Sequence, residues 1–373
     1  MKIGVITWWR NNYGSILQAF ALQKVMNNFE NVECEIISQY DRNPANRNNL
    51  IKKIKKNGIS KTFKRSFWKF CFPKMRERTA TMNLFISRNL RISEKIYNER
   101  SIYESNKIYD GFICGSDQIW NPTLTKLDSM YWLTFVDTGK IKVAYAPSIG
   151  ISNANPEEIS KIRTNLSNFD GISCRELSGK NFINSILEDR KCLKVVDPTF
   201  LVDKKVWDDI SKKRLISCPY IFVYFLRCGK SQRKIVEKFA KKRKLKIVTI
   251  PFLEPENANL FELKFGDIKA WNTSPADFIS YIRNAEYIFT DSFHSSVFSI
   301  IYNKEFYIFP KKGEAQMERL ISLLEENNIG NRIINKYEDI DSLNSIDWEK
   351  TNQCIIDNRK ISFEYLKEFF EKR

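Results

Sequence analysis

The chain contains one histidine, His294, set in the polar run Thr290-Asp291-Ser292-Phe293-His294-Ser295-Ser296 between two apolar stretches. Imidazole is the one side chain whose ordinary pKa falls between pH 5 and 8, so side-chain proton transfer near neutrality would centre on this residue. An apolar run, a polar turn and a second apolar run form the pattern of a strand handing over to a helix. Asp291 or Ser292 can cap that helix. Ser295, Ser296 and the first-turn N–H groups would then point, with His294, at one spot suited to an anion. The positive end of a helix disfavours an imidazolium, whereas a bound phosphate or carboxylate favours it. A histidine so placed would take up its proton when an anionic substrate arrives. A lone histidine can equally be a satisfied core residue.

Two further segments offer complementary chemistry. Gly115-Ser116-Asp117-Gln118-Ile119-Trp120-Asn121-Pro122 follows the apolar run 109–114. Gly115 permits a sharp turn or close approach to a ligand. Asp117 then stands at a strand end, where a carboxylate can take a proton from a hydroxyl or simply cap a turn. Trp120 can stack on a sugar face or fill the core. Ser173-Cys174-Arg175-Glu176 supplies a guanidinium fork that fits a carboxylate or phosphate, or that pairs with a nearby acid such as Asp170 or Glu176.

The elements needed to position these groups follow from the patterning. Residues 2–8, 32–38, 109–114, 143–146, 171–173 and 193–196 read as strands, and 15–26 as a helix capped by Ser15. After residue 213 the pattern restarts: strands at 219–226, 245–250, 286–289 and 306–309, helices at 231–243, 274–283 and 297–301. Strands separated by helical stretches imply βαβ units and parallel sheets. The expected fold is α/β, with two Rossmann-like domains facing across a cleft: residues 1–210, 211–345, and a C-terminal helix within 346–373 that could pack back on the first domain. Ligands in open α/β sheets bind beyond the carboxyl ends of strands. That points to the loops 11–15, 115–121, 147–150, 173–178 and 291–296, and so to Asn12, Tyr13, Gly14, Ser15, Gly115, Ser116, Gln118, Trp120, Ser148, Arg175, Ser292, Ser295 and Ser296, as cleft residues.

Composition narrows the function classes. With 43% hydrophobic residues the chain can bury substantial cores, unlike a disordered segment. The opening residues lack a signal-like apolar core, no apolar run spans a bilayer, and the eight cysteines are scattered without a Cys-x-x-Cys pair. Together these suggest a reduced, cytoplasmic protein. One histidine and no paired cysteines argue against a structural zinc site, although single aspartates could hold a divalent ion with substrate phosphate. The formal net charge of +17 attracts anions. It is concentrated in residues 49–78, where lysines and arginines interleave with Phe63, Phe67, Trp68, Phe70 and Phe72 and Glu77 is the single acid. This stretch is either a solvated helical face or a patch for the inner face of a membrane. No nucleic-acid-binding signature accompanies it.

Six strings in order resemble the polysaccharide pyruvyl transferase family: Asn11-Asn12-Tyr13-Gly14-Ser15-Ile16-Leu17-Gln18-Ala19, Gly115-Ser116-Asp117-Gln118-Ile119-Trp120-Asn121, Tyr145-Ala146-Pro147-Ser148-Ile149-Gly150, Ser173-Cys174-Arg175-Glu176, Val196-Asp197-Pro198-Thr199 and Thr290-Asp291-Ser292-Phe293-His294. They run from about residue 3 to 310, while residues 41–100 match little and read as an insertion. The resemblance implies a GT-B-like fold and transfer of pyruvate from phosphoenolpyruvate onto two hydroxyls of a sugar, giving a cyclic ketal with no further cofactor. It implies Asp117 and His294 as catalytic residues and Arg175 as a donor ligand. One departure stands out: many members carry Arg where this chain has Ser292, so donor phosphate would lean on Arg175, helix amides, Arg319 or Lys311. A sugar carried on a lipid pyrophosphate would give the basic stretch a partner. Two other readings of the same scaffold are a nucleotide-sugar glycosyltransferase and a non-catalytic anion- or membrane-binding protein.

Overall fold

The computed structural model describes residues 1–39, 73–151, 153–187, 189–252, 260–310 and 314–371. The first half comprises β1 (Lys2–Ile6), α1 (Tyr13–Met26), β2 (Glu33–Gln39), α2 (Pro73–Asn89), β3 (Ile92–Tyr97), β4 (Gly111–Cys114), α3 (Pro122–Thr125), β5 (Ile141–Ala144), α4 (Pro156–Leu166), β6 (Ser173–Cys174), α5 (Leu177–Ile186) and β7 (Leu193–Lys194). Its five-stranded sheet is parallel in the order β3-β2-β1-β4-β5, with β6 and β7 paired beside it. The helices α6 (Pro198–Leu201) and α7 (Lys204–Ile210) lead to the second half. There β8 (Tyr220–Tyr224), α8 (Lys230–Arg243), β9 (Lys246–Thr249), β10 (Ile268–Lys269), α9 (Pro275–Asn284), β11 (Tyr287–Thr290), α10 (Phe293–Ile301) and β12 (Glu305–Ile308) follow. Their sheet repeats the topology in the order β10-β9-β8-β11-β12, again parallel. The chain closes with α11 (Glu314–Glu326), α12 (Tyr337–Asp341) and α13 (Trp348–Phe370).

The central strands are apolar runs because helices cover both sheet faces; β4, β5 and β8 are buried at every position. Helix α1 carries the same signature. All its residues except Lys24 are buried, as expected for a helix enclosed on every side. Its ring residue Tyr13 stacks on Phe278 of α9, and Phe20 packs on Trp207 of α7. One hydrophobic cluster therefore runs from the first sheet through α1 into the second.

Several sequence expectations change. Helix α1 begins at Tyr13 and is capped by Asn12, whose side chain accepts from Gly14 N–H at 2.9 Å, so Ser15 lies inside the helix. Helix α10 begins at Phe293 with Ser292 as its cap. The region 41–100 is not one insertion: α2 and β3 belong to the Rossmann-like framework. Strand β3 lacked an apolar run because it is an edge strand with three consecutive exposed residues.

The basic stretch divides likewise. Residues 49–72 lie outside the described residues. Arg78, read as part of a membrane patch, is buried, and its guanidinium donates to Trp271 O at 2.8 Å and Pro251 O at 2.9 Å in the second half. Beside it Glu77 accepts from Asn272 at 2.6 Å. These contacts join the halves. Among the described residues no helix is long and apolar enough to cross a membrane. At the C-terminus α13 lies on the first half: Tyr365 donates to Ala144 O at 2.8 Å, and Ser362 accepts from Val196 N–H at 3.0 Å. Gly171 makes room for that helix, since a Cβ there would fall 2.5 Å from the Phe369 ring.

Candidate active site

Five strand ends deliver the polar groups. The turn after β1 leads to the start of α1, the turn after β4 carries Ser116 and Asp117, and those after β6 and β7 carry Arg175 and Asp197. The turn after β11 carries Ser292 and His294. All lie at carboxyl ends of parallel strands, where such sheets bind ligands.

His294 occupies the second position of α10 and is 9% exposed. Ser292 caps the helix; Asp291 instead accepts from the N–H groups of Leu226 and Arg227, both at 2.7 Å, and ties β11 to the loop after β8. One ring edge of His294 turns to the first half, with Nε2 3.5 Å from Asp197 Oδ2. Nε2 is sealed from solvent and makes no hydrogen bond among the described residues. The Nδ1 edge rests on Gly14, where a Cβ would overlap the ring. The sequence left the anion beside this histidine to come from the substrate, but the fold already supplies one, Asp197.

Asp197 is a fully enclosed hub. Its Oδ2 accepts from Arg175 Nη1 at 2.8 Å and Ser116 Oγ at 3.2 Å. Its Oδ1 accepts from Thr199 N–H at 3.1 Å and Thr199 Oγ1 at 2.7 Å, which caps α6. Burial on its own would raise this carboxyl. The His294 imidazole, then the Arg175 guanidinium and the Thr199 bonds, outweigh burial and hold it well below the usual carboxylate range.

Arg175 is 4% exposed. It pairs with Asp197 and not with Asp170 or Glu176, because those acids are already engaged. Asp170 accepts from Lys142 N–H at 2.8 Å, and Glu176 accepts from Ser148 Oγ at 2.9 Å and Gly150 N–H at 3.0 Å. Arg175 lies over the Phe293 ring, 4.3 Å from its centroid. Its Nε and Nη2 are buried and have no hydrogen-bond partner among the described residues. Arg319, on α11, approaches the same ring at 6.0 Å. Among the described residues it forms no ion pair, and its buried Nε has no partner. Burial, then the neighbouring Arg175, push its pKa down to about 10, so it stays charged at neutral pH. The two guanidiniums share a small cavity with Phe293, Glu176 and Asn327. Lys311 lies outside the described residues.

Asp117 adopts φ 75°, a left-handed conformation that strains a residue with a side chain. The strain is locked in by Ser148 N–H donating to its carbonyl at 2.8 Å. Its carboxylate accepts from Ser15 Oγ at 2.6 Å and Gln118 N–H at 2.8 Å. The first turn of α1 thus touches Asp117 through Ser15 and His294 through Gly14.

The structure gathers Gly14, Ser15, Ser116, Asp117, Arg175 and His294, but several expected cleft residues point elsewhere. Trp120 is fully buried and stacks on Trp132 at 4.5 Å, so it fills the core of the first half. Tyr13 is buried between the halves and donates to Thr273 O at 3.0 Å. Gly115 packs on Thr7 and Leu22, Ser296 Oγ bonds back to Ser292 O at 3.1 Å, and Asn12 serves as a cap. Ser295 Oγ is buried without a partner. Gln118 is half-buried and accepts from Asn121 at 3.5 Å. Sequence reasoning missed Asp197, Glu176 and Phe293 as members of the site. The signal for Asp197 was its place after a strand, but an Asp-Pro-Thr string reads first as a helix cap. Among the described residues no group of three His, Cys, Asp or Glu could hold a metal ion.

Solved structures share this architecture over nearly the whole chain. UDP-N-acetylglucosamine 2-epimerase from Rickettsia bellii superposes with a TM-score of 0.57 at 11% identity, covering 100% of this chain and 97% of that one. Staphylococcus aureus MnaA with UDP gives 0.54 at 13% identity, covering 99% and 97%. The Neisseria meningitidis UDP-GlcNAc 2-epimerase bound to UDP-GlcNAc gives 0.53 at 10%, covering 99% and 100%. At such identities the likeness establishes the fold, which is GT-B. No curated protein matches the sequence. The family profile named polysaccharide pyruvyl transferase matches residues 12–310, a span that holds Asp117, Arg175, Asp197 and His294. The chain belongs to the polysaccharide pyruvyl transferase family.

Proposed function

We propose that the protein transfers pyruvate from phosphoenolpyruvate onto two hydroxyls of one sugar, forming a cyclic ketal and releasing phosphate during surface-polysaccharide assembly. One observation carries the reading: two buried guanidiniums with unpartnered donors lie next to an imidazole that is backed by a carboxylate. Buried donors left without a protein partner are satisfied by an ordered water or a bound acceptor, and a guanidinium fork fits both the carboxylate and the phosphate of phosphoenolpyruvate.

The residue types suit each step. His294 as imidazolium gives a proton to the methylene carbon of the donor, leaving a cation at C2. The first sugar hydroxyl adds to C2 as its proton passes to Asp117. The bond from C2 to the phosphate oxygen breaks, and phosphate leaves with the proton held by Asp117. The second hydroxyl closes the ring on C2 and returns a proton to His294. Arg175 and Arg319 hold the donor throughout, and this reading requires no further cofactor. A positioned acid or base contributes roughly 10²–10⁴-fold.

The test is phosphate release from phosphoenolpyruvate, dependent on a panel of sugars including lipid-linked ones. His294→Ala and Asp117→Ala should each lose activity on that scale. Near-full turnover by His294→Ala, or consumption of a nucleotide sugar in place of phosphoenolpyruvate, refutes the reading.

A further inference from the structure

We infer that Ser15 is a positioning residue whose hydroxyl holds the Asp117 carboxylate off Arg175 and Arg319, so that the two guanidiniums stay open to a substrate anion. That the anion is phosphoenolpyruvate rests on the pyruvyl-transfer reading; the competition for the guanidiniums does not.

The bond from Ser15 is not one that a helical serine makes by default. A hydroxyl within a helix commonly bonds back to the carbonyl one turn earlier. In α10 Ser296 does so to Ser292 O at 3.1 Å, and Ser299 to Ser295 O at 2.8 Å. Ser15 lies in the first turn of α1, so the residue one turn earlier is Asn11, outside the helix and left-handed at φ 64°. Its Oγ instead donates across to Asp117 Oδ2 at 2.6 Å, with both residues buried. The frame around the bond is closed. Gln18, one turn on, donates to Trp8 O at 2.6 Å and to Thr7 Oγ1 at 3.1 Å, and Thr7 Oγ1 donates to Ser116 O at 2.7 Å. The start of α1 and the turns after β1 and β4 therefore form one hydrogen-bonded ring.

Without that hydroxyl Asp117 keeps its backbone, pinned by Ser148 N–H, and the bond from Gln118 N–H to Oδ1. Its Oδ2 becomes a buried charged acceptor with no donor, which costs more than a neutral group left unsatisfied. Donors lie close by. Arg175 Nη1 reaches Ser116 Oγ, one residue from Asp117, at 3.4 Å. The charge of Asp117 acts on both Arg175 and Arg319. Nε and Nη2 of Arg175 and Nε of Arg319 are buried with no hydrogen-bond partner among the described residues. The other acids nearby are already anchored: Asp197 by Thr199 and by Nη1 of Arg175, and Glu176 by Ser148 and Gly150. A carboxylate released from Ser15 and an incoming phosphate or carboxylate thus contend for the same donors.

The test is a double-mutant cycle read by calorimetry on the full-length protein, with phosphoenolpyruvate and inorganic phosphate as probes. Ser15→Ala should bind both probes about tenfold more weakly, the scale of one charge-assisted hydrogen bond lost to a competitor. In the Asp117→Ala background the same substitution should change affinity by less than about twofold, because no carboxylate remains to intrude. Unmoved affinity in Ser15→Ala, or an equal loss in both backgrounds, overturns the inference; an equal loss is what a merely loosened α1 would give. Alanine is the better helix former, and Ser15→Cys, close in size and a weak donor, repeats the cycle if Ser15→Ala fails to fold. If wild type binds phosphate but not phosphoenolpyruvate, the pyruvyl-transfer reading falls while phosphate still judges the competition. If wild type binds both probes and the cycle shows no coupling, only the competition falls. If wild type binds neither, both fall.

Discussion

Replacing Gly14 with alanine separates catalytic geometry from folding. Gly14 lies in the first turn of α1, where alanine is the better helix former by up to about 1 kcal/mol. Its Cβ, however, would overlap the His294 ring; even Cε1, the farthest of the three ring atoms it meets, would be 2.7 Å away, and ordinary contact begins near 3.4 Å. The ring or the helix must therefore yield on the order of 1 Å, an overpacking that costs roughly 1–3 kcal/mol. The two terms oppose, so net destabilisation should stay within about 2 kcal/mol. Catalysis has no such compensation, since a displacement of about 1 Å at a reacting group can cost roughly 10²-fold. The assay compares kcat for ketal formation, measured by mass spectrometry, with the urea midpoint of the same preparation. We expect a fall in kcat of about a hundredfold in a protein that still folds. Wild-type turnover by Gly14→Ala would show that His294 is not held against α1 for chemistry.

Three further outcomes follow from the same contacts. Arg319→Met removes a buried charge that has no ion pair among the described residues, so stability should hold or rise, while phosphoenolpyruvate affinity by calorimetry should fall about 10–100-fold; unchanged affinity would remove Arg319 from the donor site. Trp120→Ala should destabilise by about 3–5 kcal/mol through loss of the stack on Trp132, with acceptor KM unchanged; retained stability with a raised KM would return Trp120 to sugar binding. Burial opposes ionisation of Asp197, but His294 and then Arg175 prevail and hold its carboxyl below the unfolded value of about 3.9. Its contribution is thus complete above that pH and is lost as the pH falls below it. The gap in urea midpoint between wild type and Asp197→Asn should be widest near neutrality and narrow from about pH 4 towards 2; a gap constant over that range contradicts the assignment.

The two parallel sheets were legible because apolar strands alternate with helical stretches, and the site was legible in part because its polar strings follow those strands. Asp117, Arg175 and His294 declare themselves by type and place. Asp197 did not, since its contact with His294 lies 97 residues later in the chain. Trp120 misled by adjacency: three residues from Asp117, it turns into the core while Asp117 is aimed away by its left-handed backbone. Strand β3 escaped because edge strands carry polar residues. The role of Arg78 escaped because its carbonyl partners Pro251 and Trp271 lie 173 and 193 residues away, beyond any local pattern.

The central claim is that this site protonates the methylene carbon of phosphoenolpyruvate and captures C2 with two sugar hydroxyls. The most direct measurement runs the reaction in deuterium oxide and weighs the sugar product. The account predicts one pyruvate ketal per acceptor, its methyl group carrying one solvent deuterium, with one phosphate released and none of this product from His294→Ala. A ketal with no solvent deuterium, or loss of phosphoenolpyruvate without a pyruvylated sugar, would contradict it.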